Sequence, residues 1–258
     1  EIPKECQKVV NTEIVDRVKN LFYKTNVNEK NNFLNIKNEW LSDSGLFIAK
    51  KNYAIHQVYK EGIPVEKMVP TGISLRRSST PKVMKPFLEN ILNGILAFKS
   101  NSDINEIVVS EYRKIKDEYE TNEIALPISV HEIDSYTANL PVHIRGAKIW
   151  NQYYAKSDLD KINSGKVKYI YIKEWDKQEL NVNQEYVISI PDTPSNWNFM
   201  KDKIKVDYDK MVERLLIKPV GIFYDAMKWE LPKEITCKNN GVLLNASRKK
   251  IKSKIKLI

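Results

Sequence analysis

The chain reads as an α+β protein, and three observations carry that reading. Apolar residues recur at helical spacing in the stretches 80–96, 103–119 and 142–154. They alternate with period two in 47–59, 167–172 and 185–190. With 258 residues and 42% hydrophobic side chains, there is material for one large domain or two smaller ones, each with a core.

Residues 4–24 read as a helix, with Val10, Ile14, Val18, Leu21 and Phe22 on one face. A polar stretch, 26–32, interrupts. Trp40, Ser42, Asp43, Ser44 and Gly45 mark a turn. Residues 47–59 read as one strand, with Phe47, Ala49, Lys51, Tyr53, Ile55, Gln57 and Tyr59 on one face. Glu61-Gly62 closes it, and residues 65–71 pair back as a short hairpin. Thr80-Pro81 is a helix start, Thr as N-cap and Pro in the first turn. That helix buries Val83, Phe87, Leu88, Ile91, Leu92, Ile95 and Leu96, and Pro86 bends its first turns. Asp103 opens another helix, with Ile104, Ile107, Val108, Ile115 and Tyr119 inward. The stretch 127–141 has no clear period. Residues 142–154 are helical, and 167–172 and 185–190 are strands. Tyr208, Met211, Val212, Leu215 and Leu216 form a short helix that ends before Pro219.

Composition excludes several classes. No apolar run approaches the ~20 residues of a membrane span, and no signal peptide stands at the start. The first residue is Glu1 rather than Met, as in a trimmed or processed chain. Cys6 and Cys237 alone point to reduced thiols and a cytoplasmic location, in the host cell if the chain is phage-encoded. His56, His131 and His143 lack the paired spacing of a zinc site. The net charge is +9, and residues 201–258 carry 15 of the 42 basic and 7 of the 33 acidic residues. The basic excess thus sits at the C-terminal end, where 248–256 holds six basic residues and no acid. A basic surface suits a polyanion such as DNA. A solvated, lysine-rich surface from a low-GC genome would look the same.

Four segments bear on function. Lys50-Lys51-Asn52-Tyr53 falls in the strand 47–59. A strand face can aim a cation and an aromatic hydroxyl at a minor groove, whose acceptors all base pairs share. Surface decoration reads the same way. In the segment 72–82, Arg76, Arg77, Ser78 and Ser79 stand just before the helix start at Thr80-Pro81. Guanidinium groups, hydroxyls and free N–H groups together make a phosphate site; an N-cap with flanking charge is the plainer alternative. The third segment is Pro141-Val142-His143-Ile144-Arg145-Gly146, followed by Asn151 and Tyr154. The fourth is Arg214-Leu215-Leu216-Ile217-Lys218-Pro219-Val220-Gly221.

In this order, the four segments resemble the C-terminal part of family B DNA polymerases of the T-even phage type. The first is similar to the family's Lys-Lys-Arg-Tyr palm strand, which implies that lysine and tyrosine touch the minor groove and backbone near the primer terminus. Asn52 replaces the usual arginine. The second resembles the passage from palm to thumb: a glycine, a basic pair, Ser-Ser-Thr-Pro, then a long helix. The third looks like the thumb's His-Ile-Arg-Gly, implying Arg145 as a phosphate ligand and His143 as structural. A basic residue of the family shortly before it is replaced near Asn139. The fourth resembles the thumb's Phe-Ile-Lys-Pro, implying that Arg214 and Lys218 face the duplex. The resemblance spans roughly residues 5–230 and is loose between segments. The end, Lys254-Ile255-Lys256-Leu257-Ile258, departs from the family's apolar-aromatic clamp-binding tail, which leaves a sliding clamp open as a partner. The implied architecture is the rear of a palm over 1–72 and a mainly helical thumb, with a small β subdomain and a basic tail, over 73–258.

The family's chemistry uses two Mg2+ ions held by palm aspartates. The Tyr-Gly-Asp-Thr-Asp-Ser hairpin that supplies them is not in this sequence; Ser42-Asp43-Ser44 and Asp192-Thr193 are lookalikes in turns. The helix at 4–24 would correspond to the one following that hairpin. The expectation is therefore one chain of a split or cleaved polymerase, inactive alone, with no metal ligand of its own. Its partners would be primer-template DNA and a second chain carrying exonuclease, fingers and the catalytic aspartates; no membrane is implied. The alternatives are a non-catalytic DNA-binding module derived from a thumb, and a phage structural protein that packs DNA.

Overall fold

The computed structural model describes residues 39–73, 75, 77–137, 140–155, 161–177 and 185–236, with single positions between 5 and 20. The chain divides into two units, residues 1–71 and 72–258. Those single positions are helical and exposed; the apolar stripe expected of 4–24 lies outside the described residues, as do both cysteines and the basic tail.

The first unit holds a three-stranded antiparallel sheet of β1 (Trp40–Ala49), β2 (Asn52–Lys60) and β3 (Ile63–Thr71), in that order. Glu61 and Gly62 both take positive φ, 46° and 94°. That pair of conformations twists a two-residue loop to match its strands, and Lys60 duly faces Ile63 across it. Pro64 and Pro70 lie on β3, an edge strand, where a missing N–H is tolerated. Two expectations are corrected here. The polar stretch at 40–45 is strand rather than turn, because bulges between Leu41 and Ser44 absorb its irregularity. The single strand expected over 47–59 is two strands, reversing at Lys50 and Lys51, where Ala49 faces Asn52.

The second unit opens with the helices α1 (Met84–Leu96) and α2 (Asn101–Asp117). Helix α1 starts later than Thr80-Pro81 suggests, and Thr80 does not cap it. Pro86 explains the shift: inside a helix it would lack its own N–H and clash with a carbonyl, whereas in the first turn that N–H is unpaired anyway. Helix α2 is capped by Ser100 rather than opened by Asp103. The Asp103 N–H donates to Ser100 Oγ at 3.2 Å and the Ser100 N–H donates to Asp103 Oδ2 at 3.0 Å. A short helix, α3 (Thr121–Ile124), leads into β4 (Leu126–Val130), found in the stretch without a period. Then come α4 (Val142–Tyr153), β5 (Gly165–Trp175), β6 (Tyr186–Pro191), α5 (Pro194–Met200) and β7 (Ile204–Val206). β5 is central: antiparallel β6 runs on one side, and β4 and β7 follow each other on the other.

The last helix runs through Pro219 instead of stopping before it. α6 (Tyr208–Val212) passes into a π-helical turn, Glu213–Ile217, and on into α7 (Lys218–Met227). In that turn the Lys218 N–H donates to the Glu213 carbonyl, five residues back. The widened turn gives the proline ring room that an α-helix would deny it. A final turn, α8 (Lys233–Thr236), follows. Among the described residues, no helix is long and apolar enough to cross a membrane.

Helix α4 lies on β6 without a methyl's clearance. A Cβ on Gly146 would sit 2.7 Å from the Ser189 backbone nitrogen and 2.9 Å from its Oγ. Gly146→Ala should therefore destabilise the protein by ~1–3 kcal/mol in urea unfolding. Gly221→Ala, in α7 where a Cβ meets nothing within 4 Å, should instead stabilise by about 0.5–1 kcal/mol.

Candidate nucleic-acid interface

Three of the four sequence segments carry exposed cations without a partner among the described residues. The first is the β1–β2 turn. Phe47 faces Tyr53 across the hairpin, so Lys50 and Lys51 form its tip, both exposed. Lys51 therefore does not share a strand face with Tyr53. Its φ of 60° is left-handed, a conformation costing a non-glycine residue roughly 1–2 kcal/mol. Neither lysine has an acidic partner among the described residues. Tyr53 is half-buried beneath Phe47, with ring centroids 5.7 Å apart and planes at 28°. Asn52 turns inward, its Oδ1 buried and unpartnered.

The second group is the turn before α1. Arg77, Ser78 and Ser79 are exposed, and the Thr80 N–H donates to the Arg77 carbonyl at 3.2 Å. Arg76 lies outside the described residues. Two of the N–H groups expected to be free there are taken: Met84 donates to Pro81 at 3.1 Å and Lys85 to Lys82 at 3.3 Å, and Pro86 has none. The exposed Arg77 guanidinium and the Ser78 and Ser79 hydroxyls are open to an anion there.

On α4, Arg145 points to solvent while Ile144, Gly146 and Ala147 on either side are buried. His143 is half-buried, and burial holds its pKa below the usual imidazole value. Its carbonyl accepts a hydrogen bond from Ser189 Oγ at 2.7 Å. The neutral ring and its tie to β6 fit a structural part. Asn151 is also structural: its amide donates to the Ile162 carbonyl at 2.9 Å and its Oδ1 accepts from the Ile162 N–H at 2.7 Å.

Arg214 and Lys218 differ, because each has an internal partner. The Arg214 guanidinium lies 5.4 Å over the Tyr171 ring and its Nε is buried. Lys218 Nζ reaches Glu213 Oε1 at 2.7 Å, and Lys210 Nζ reaches Oε2 at 2.9 Å. Burial pushes the Glu213 carboxyl up, but the bonds from Lys218 and Lys210 outweigh it and leave its pKa lowered. Sequence reasoning missed this network, since it rests on a carboxylate carried inward by the π turn.

The polymerase-like acidic lookalikes are likewise engaged. Asp43 Oδ1 lies 2.8 Å from His56 Nδ1, and that bond holds its carboxyl below the usual range. Asp192 pairs with Lys168 at 2.9 Å. Among the described residues, no three His, Cys, Asp or Glu side chains could hold a metal ion together. Sequence reasoning also missed a cleft of about 170 Å³ between Tyr119–Asn122 and α5. Two of its lining residues, Trp197 and Asn122, carry a buried polar atom without a partner.

Lys218→Met should lower unfolding stability at pH 7 by about 1 kcal/mol, a figure discounted for the exposed lysine end. The folded-state pKa of Glu213 is depressed, so its contribution is present above the ordinary carboxylate range and lost as pH falls through the folded value. The gap between wild type and variant should therefore narrow as pH drops from about 7 to about 3 in thermal unfolding.

Set against known protein families and against curated proteins, the chain matches none, so its function has to be argued from these groups of residues.

Proposed function

We propose that this chain is the C-terminal part of a family B DNA polymerase of the T-even phage type, completing the palm and gripping primer-template duplex with the thumb. The observation that carries the reading is the ordered series of four segments: Lys50-Lys51-Asn52-Tyr53, the run from Arg76 to Lys82, His143-Ile144-Arg145-Gly146, and Ile217-Lys218-Pro219. The exposure of Lys50, Lys51, Arg77, Ser78, Ser79 and Arg145 supports it, because these groups are available to phosphates. Cations and hydroxyls on phosphate oxygens hold a duplex in register without reading its sequence. In this reading Tyr53 supports the hairpin that enters the groove, and Arg214 and Lys218 act chiefly by keeping the last helix in place. Two Mg2+ ions belong to the assembled enzyme and are held by the aspartates of the partner chain.

Primer extension by this chain, by a chain bearing the aspartate hairpin, and by the two together tests the proposal. Synthesis in the mixture alone supports it; absence of synthesis in every combination refutes it. DNA binding by this chain without synthesis favours a thumb-derived binding module. Lys51→Ala with Arg77→Ala should lower processivity more than single-nucleotide incorporation. Each substitution should also flatten the slope of log affinity against log salt by roughly one.

A further inference from the structure

The tip of the β1–β2 hairpin carries an aromatic surface that duplex grip does not use. Phe47 is 70% exposed although it is a large apolar side chain. It does not stand out as a wedge. A Cβ on Gly45 would lie 2.8 Å from Phe47 Cε2 and 3.3 Å from its Cζ, so the ring lies back over the glycine, two residues away on the same face. On its other flank it stacks on Tyr53, its cross-strand partner, at 5.7 Å and 28°. The ring is thus held by a bare backbone and a second ring. Lys50 and Lys51 follow in the turn, exposed and without acidic partners among the described residues.

We propose that Phe47, backed by Tyr53 and seated on Gly45, is a stacking platform for an unpaired nucleobase of a DNA strand whose phosphates Lys50 and Lys51 meet. An open aromatic face beside cations is the arrangement that holds single-stranded nucleic acid, with stacking indifferent to base identity. A ring laid flat offers its face; a wedge between paired bases needs a protruding side chain. Hydrophobic burial alone would favour covering Phe47 within the fold. The proposal deepens the DNA-grip reading by adding a share for a frayed or single-stranded end at the same hairpin.

The test compares the full chain binding to a short oligodeoxyadenylate and to an abasic strand of equal length, which has the same phosphates and no bases, by fluorescence anisotropy at one salt concentration. A blunt duplex is measured in parallel. Wild type should prefer the base-bearing strand by about tenfold, the scale of one stacked base. Phe47→Leu, which keeps apolar bulk, should erase that preference and leave abasic binding unchanged. Gly45→Ala should weaken the preference with Phe47 still present, because the new methyl displaces the ring. Circular dichroism melts confirm that both variants fold. Equal binding of the two strands by wild type, or an unchanged preference in Phe47→Leu, overturns the platform. Duplex binding that persists in that case leaves the grip reading standing. A Phe47-dependent preference without duplex binding upholds the platform and sinks the grip.

Discussion

The second unit depends on a missing side chain, that of Gly146. At that point α4 approaches β6 so closely that the Ser189 backbone nitrogen and hydroxyl occupy the space of a methyl. The same serine hydroxyl donates to the His143 carbonyl at 2.7 Å. Close approach and hydrogen bond together set the rotation of the helix. Ile144, Ala147 and Trp150 are then turned into the core, and Arg145 is turned out. From Trp150 the packing continues through Tyr154, whose ring lies 5.8 Å away. The Tyr154 hydroxyl accepts from the Trp175 indole N–H and donates to Asp176. Burial and the bond to Asp176 push the Tyr154 phenol well above its ordinary pKa, against the Trp175 bond, which lowers it. One backbone contact thus connects the position of an exposed cation to the end of the central strand.

Charge in this unit is divided between internal and external tasks. Glu213 is drawn inside by the π turn that Pro219 requires, and two lysines follow it. Removing both cations would leave a buried charge uncompensated, whereas removing one leaves the other lysine on the carboxylate. Glu111 is buried on α2: burial raises its pKa, opposed by the hydrogen bond that Tyr119 donates at 2.9 Å and by Lys114. Nearby, the Tyr224 hydroxyl joins α7 to α2 by donating to Asn105 Oδ1 at 2.7 Å. Among the cations of the four segments, Arg77 and Arg145 here and the two hairpin lysines in the first unit are exposed to an outside anion.

Much of the fold was legible where one period ran unbroken. The apolar stripes of α1 and α2 and the alternation in β5 and β6 each have a local physical cause, whereas the Ser100 cap of α2 was passed over in favour of Asp103. The Glu61-Gly62 turn was legible because a glycine stood at a left-handed position. The Lys50-Lys51 reversal was not, because lysine is a poor turn former and the alternation of apolar and polar residues runs through it. Only the pairing of Phe47 with Tyr53 and Ala49 with Asn52 reveals it. Both proline-bounded expectations failed for a related reason. A proline states what a helix cannot do locally, whereas the surrounding chain chooses between stopping, starting later and widening a turn.

The sequence by itself determined which residues carry charge, where helix and strand periods lie, and the order of the four segments on which the proposed function rests. These follow from side-chain chemistry and spacing along a single strand. Tertiary structure alone decided which of those charges face outward. Lys218 and Arg214 look as available in the sequence as Lys51 and Arg145, but a buried carboxylate engages one and a tyrosine ring the other. Lys51 left its strand for a turn, and Phe47 gained its exposed seat from a glycine two residues away. Exposure depends on what the rest of the chain packs against a residue, and that is settled by contacts distant in sequence.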